Sequence, residues 1–135
     1  MRLYFGHPIN AYNIPLEVSL LKRIEKAFPD WEIENPNQER YTQQYLLWKK
    51  TRGDGMAFFY KEVLPTCQGG VFLAFPEGTW GAGVFGEAEC LAMRACPIWE
   101  ITHQGIITKI RTLSRVRALT IAETKLRVKK PFFVK

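Results

Sequence analysis

An unbroken apolar run, GGVFLAF at residues 69–75, constrains this chain most. A strand with one wet face alternates apolar and polar residues, so a continuous run needs cover on both faces. Helices packed on the two sides of a parallel sheet supply that cover. The rest of the chain has the same character. RLYF, closed by Gly6 and Pro8, WEIEN before Pro36, and PIWEI all have strand composition, and HQG allows a tight turn into IITKI. Between them, Asn13 caps a predicted helix from Pro15, where Leu20, Leu21, Ile24 and Phe28 recur at helical spacing. Residues 38–51 carry Tyr41, Tyr45 and Trp48 on one helical stripe. Met56 to Leu64 and about Gly83 to Arg94 are two further predicted helices. TIAE at Thr120–Glu123 is a capping box for a last one. The expected fold is a single α/β domain over residues 1–135. It is a three-layer sandwich, flavodoxin- or Rossmann-like, with a mainly parallel sheet of four or five strands.

Composition narrows the setting. The chain is 47% hydrophobic and 24% charged, as in soluble globular proteins, and no stretch approaches the roughly 20 apolar residues of a membrane span. MRLYFGHPIN has one basic residue and a short apolar run before Pro8, which is the pattern of a first strand and not of a signal peptide. Cys67, Cys90 and Cys96 form no C-x-x-C pair, and His7 and His103 are far apart. No metal site or cofactor is expected, and the thiols are those of a reduced, cytoplasmic protein. The charge of +6 is uneven: residues 101–135 hold nine Lys/Arg against one acid, Glu123. That end is either a solvated face or a surface for phosphate, nucleic acid or an acidic partner. The absence of any aromatic between Arg111 and Lys130 argues against nucleic acid.

The candidate chemistry lies in EGTWGAGVFGEAECLAMRACPIWEI. Glycines 78, 81, 83 and 86 precede a carboxylate, Glu87. In an open parallel sheet, ligands bind beyond the carboxyl ends of strands, and Gly6–Asn13 and Glu77–Gly83 are two such loops. Glycine lets backbone N–H groups approach a ligand closely. There is no Walker sequence and no G-x-G-x-x-G at the first strand–helix turn. A glutamate in the first turn of the following helix is expected to be ionised, and so fit to act as nucleophile or general base. The alternative is a capping glutamate that only complements the helix dipole.

Three stretches carry a resemblance to one family, and the middle one, FFYKEVLPTCQGGVFLA, resembles its helix-to-strand segment, whose helical acidic residue falls at Glu62. LYFGHPI resembles the opening of the nucleoside 2-deoxyribosyltransferases and the related deoxynucleoside monophosphate N-glycosidases. GAGVFGEAECLAMRACPI resembles their glycine-to-glutamate helix, with Gly83, Glu87 and Pro97 at compatible spacing. The resemblance covers roughly residues 2–101. It implies that Glu87 attacks C1′ of a deoxyribosyl group, that Tyr4 orients Glu87, and that Glu62 touches the base or ribose. Gly6, His7, Pro8, Asn10, Gly81 and Gly83 would then be substrate-binding positions. It also implies a nucleoside or nucleotide-like ligand and a homodimer or larger assembly.

The chain departs from that family where Pro8 and Asn10 replace a phosphate-holding serine and arginine. Gly70 and Gly81 replace polar residues, and His7 stands where a small residue is expected. These departures support a second reading, a nucleotide-sensing or partner-binding module that kept the fold and lost the chemistry. FPEGTWGAGVFGE also resembles the phosphoribohydrolases that activate cytokinin-type nucleotides, in its proline, its glycines and the interval from Gly83 to Glu87.

Overall fold

A computed structural model describes residues 1–132. Its centre is a five-stranded sheet in the order β2-β1-β3-β4-β5. β1 (Arg2–Gly6), β2 (Glu32–Glu34), β3 (Gly69–Leu73) and β4 (Ile98–Ile101) run parallel, and β5 (Ile107–Ile110) returns antiparallel through the turn at Gly105. The five segments with strand composition are therefore the five strands.

Side chains alternate across the sheet as a period of two requires. Leu3 and Phe5 of β1 and Val71 and Leu73 of β3 face α1 (Pro15–Ala27), where Leu20 and Ile24 complete a core. Tyr4 and Phe72 face the other way, into a second core with Tyr41 of α2 (Glu39–Arg52) and Phe85, Ala88 and Leu91 of α4 (Ala82–Met93). Every residue of β3 is buried, so the apolar run is covered on both sides. The three layers are α1, the sheet, and the α2–α4 face.

Two local expectations are corrected. Asn13 does not cap α1: Ile14 holds the N-cap position, and Asn13 sits at φ 63. The carboxylate of Glu17 reaches back instead to accept from the Asn13 backbone N–H at 3.0 Å. Residues 56–64 are also not one helix. A short α3 (Met56–Phe58) opens into a π-helical turn over Phe59–Val63 and a tighter turn over Leu64–Thr66. Pro65 lacks an N–H and crowds the carbonyl four residues before it, so a regular helix cannot run through. α5 (Ile121–Val128) begins with the expected capping box, in which Thr120 Oγ1 accepts from the Glu123 N–H and Glu123 Oε1 from the Thr120 N–H.

The sheet order decides where a ligand fits. The crossover after β1 runs to one side and the crossover after β3 to the other, so β1 and β3 flank the topological switch point.

Candidate active site

A cavity of about 340 Å³ opens at that switch point, at the lower end of the volumes that hold small ligands. Its walls come from the loop after β1, the start of α4, the π-helical turn and one face of α5. The lining includes five aromatic side chains, Tyr12, Tyr45, Phe59, Tyr60 and Phe75. Glu87 is the one carboxyl among the described lining residues, and Lys125 is exposed at the rim.

Beneath the cavity, the Tyr4 hydroxyl donates to Glu87 Oε2 at 2.7 Å. Tyr4 is wholly buried, which makes it a fixed support. The other oxygen, Oε1, lies over the end of β1. A Cβ on Gly6 would come within 3.1 Å of it and 2.5 Å of the Phe72 ring, so only glycine fits there. A second glycine matters for the same reason. The Tyr60 hydroxyl rests directly over Gly86, in space a Cβ would need.

Glu87 lies in the second turn of α4, not the first, because the helix begins at Ala82. The dipole effect falls off within the first turn, and the carboxyl is half-buried among apolar groups with no cation beside it among the described residues. Burial therefore pushes its pKa up to about 8, and the hydrogen bond from Tyr4 offsets this only in part. This corrects the expectation of an ionised Glu87: below about pH 8 most molecules carry it protonated. The tyrosines respond in turn. Burial, and then the negative charge of Glu87, raise Tyr4, Tyr12 and Tyr60 above the usual phenol value.

The other predicted positions divide. His7, Pro8, Asn10, Gly81 and Gly83 line the cavity, and Gly6 lies just under it. Glu62 does not line it: its side chain is exposed on the π-helical turn, and its neighbours Phe59 and Tyr60 face the cavity instead. The His7 ring is occupied on both sides, by the Phe5 carbonyl at 2.9 Å and Glu17 Oε2 at 2.8 Å, and it stacks on Phe5. Burial works to raise Glu17, but bonds from His7, the Asn13 N–H and Asn37 outweigh it and hold that carboxyl low. Asn10 is also occupied. Its Nδ2 donates to the carbonyls of Arg127 (3.0 Å), Val128 (3.3 Å) and Lys130 (2.6 Å), capping the end of α5.

Sequence reasoning missed α5 as a wall. Ile121, Thr124, Lys125 and Val128 face the cavity, and Thr124 Oγ1 accepts from the first N–H of α4, at Ala82, at 2.9 Å. The basic end is thus structural in part: Arg115 pairs with Glu89, Arg117 with Glu100 and Arg127 with Glu77. Tyr12 and Tyr60 were missed as well. Their visible signals are a lone tyrosine in the loop after β1 and the aromatic run FFY at 58–60.

A second acidic site is structural. Glu34 is buried among Arg2, Arg40 and the Tyr41 hydroxyl, which together balance its charge. No group of three or more metal-ligating side chains occurs among the described residues, and no helix there is long and apolar enough to cross a membrane. No family model, curated protein or solved structure matches this chain.

Proposed function

We propose that the chain cleaves or transfers an N-glycosidic bond of a nucleoside or nucleotide-like molecule, with Glu87 as nucleophile. The observation that carries this is the Tyr4–Glu87 pair, a single carboxyl fixed at 2.7 Å by a buried phenol, under a partly aromatic cavity at the switch point. Aromatic rings suit a heterocyclic base. Tyr4 holds Oε2, which leaves Oε1 to attack C1′, and the ester formed is then opened by water or by a second base. The covalent route divides one hard displacement into two easier ones. The protein would act as a homodimer or larger assembly in the cytoplasm. The test is a panel of nucleosides and nucleotides assayed for free base. Release by the unmodified protein and its collapse in Glu87→Gln support the proposal, and release unchanged in Glu87→Gln overturns it.

A second reading is favoured by one observation, the raised pKa of Glu87. A carboxyl protonated at neutral pH serves as a hydrogen-bonding group in a binding module without chemistry. Tight ligand binding with no base released at any pH would select it.

A further inference from the structure

Among the described lining residues the cavity holds one carboxyl, and its other titratable groups are committed elsewhere, weakly acidic or at the rim, so none is well placed to protonate a departing base. Glycoside cleavage by carboxyl groups ordinarily uses two, one attacking and one donating a proton to the leaving group. Here Glu87 stands alone among the described lining residues, and Glu62 is turned to solvent. His7 is committed on one side to the Phe5 carbonyl and on the other to Glu17. Tyr12 and Tyr60 are pushed above the ordinary phenol range by burial and then by Glu87 itself, which makes them poor acids. Lys125 is exposed at the mouth. A neutral nucleoside cleaved here would have to expel its base as an anion, into a site with no buried cation among the described residues to receive it.

The electrostatics point the same way. The groups facing Glu87 are Tyr4 from β1, Tyr12 from the loop after it, Tyr60 from the π-helical turn and Cys90 one turn along α4. None of them carries a positive charge. A half-buried carboxyl with no counter-ion among the described residues, in a cavity lined in part by tyrosine and phenylalanine rings, is the environment that attracts an organic cation, through ring quadrupoles and through the carboxylate.

We infer that the substrate class of this site is an N-glycoside of a cationic heterocycle, such as a pyridinium or N-alkylated purinium nucleoside, and this rests on the glycosidic function proposed above. The chemistry balances without an acid. Glu87 Oε1 forms a bond to C1′, and the C1′–N bond breaks with its electron pair passing to the ring nitrogen. The heterocycle leaves neutral, with no proton needed. Water then attacks C1′, Glu87 departs as carboxylate, and the water's proton goes to solvent. The sum is cationic nucleoside plus water giving sugar, neutral heterocycle and one proton. Binding itself is proton-linked, because the cation favours ionised Glu87.

The test compares nicotinamide riboside with its dihydro form, which keeps the sugar and ring size but has no charge. Calorimetry on the whole chain should show the cation bound about tenfold or more tighter at about pH 9, with protons released on binding at about pH 7. The preference should vanish in Glu87→Gln, whose fold is checked by circular dichroism. Nicotinamide release should follow binding. If the dihydro form or 2′-deoxyadenosine binds as tightly and the deoxynucleoside is cleaved, the cationic class is wrong while glycosidic chemistry stands. If no nucleoside of either charge binds, both fail.

Discussion

The Tyr60 hydroxyl lies against the backbone of Gly86, one residue before Glu87, so a helix glycine and a cavity tyrosine define each other's place. Replacing Gly86 by Ala should therefore act through Tyr60. Overpacking of this kind costs about 1–3 kcal/mol, partly offset by the roughly 1 kcal/mol that alanine gains over glycine in a helix. Tyr60→Phe removes the nearest atom of the clash. A double-mutant cycle read by urea unfolding should show Gly86→Ala better tolerated beside Tyr60→Phe than alone, and additive effects would dissolve the relationship.

Stability should report on Glu87 as pH changes. Its folded pKa is about 8 against an ordinary 4.5, so the folded state binds more protons than the unfolded state between those values. Stability from this group is complete below about pH 4.5 and is lost as pH rises through about 8. At about 1.4 kcal/mol per unit, the loss is at most roughly 5 kcal/mol. Glu77 acts in the opposite window. Burial works to raise it, but bonds from Thr79 and Arg127 together outweigh that and bring it down to about 2, so its contribution is present above about pH 4.5 and lost as pH falls through about 2. Urea unfolding of Glu87→Gln should lose the decline between about pH 5 and 8 and keep the acid limb.

Tyr4→Phe should move the titration of Glu87 further above about 8, because the lost hydrogen bond is the one interaction lowering it. The carboxyl carbon resonance of Glu87 followed through a pH titration measures this. A downward shift would mean that Tyr4 does not donate to the carboxylate.

Much of this fold was legible because its evidence is local. GGVFLAF, RLYF and PIWEI have strand composition over consecutive residues, and Thr120–Glu123 carries its own cap. What the sequence hid is tertiary. Nothing near Asn10 indicates that its amide will cap a helix end some 120 residues on, and nothing near Thr124 that it will accept from Ala82. Glu62 and Tyr60 are two residues apart, and the π-helical turn decides which of them meets the cavity. The protonation of Glu87 was misjudged because helix position was weighed and burial was not.

The clamp on α5 is a separate test of how the cavity is walled. Asn10→Ala removes the amide that donates to the Arg127 and Val128 carbonyls of α5 and to Lys130 just beyond it, and should cost about 1–2 kcal/mol. Amide exchange over residues 121–128 should accelerate far more than over β3. Uniform acceleration would show that α5 opens only with the whole domain.

The central claim is that Glu87 attacks a sugar carbon. Its most direct measurement is intact-protein mass spectrometry after rapid mixing with a cleaved nucleoside and quenching in acid. The account predicts a mass increase of one glycosyl group, mapped by proteolysis to the peptide containing Glu87 and absent in Glu87→Gln, with base release rising with pH toward about 8. Base released at an undiminished rate by Glu87→Gln, with no glycosyl group on the wild-type peptide, would contradict it.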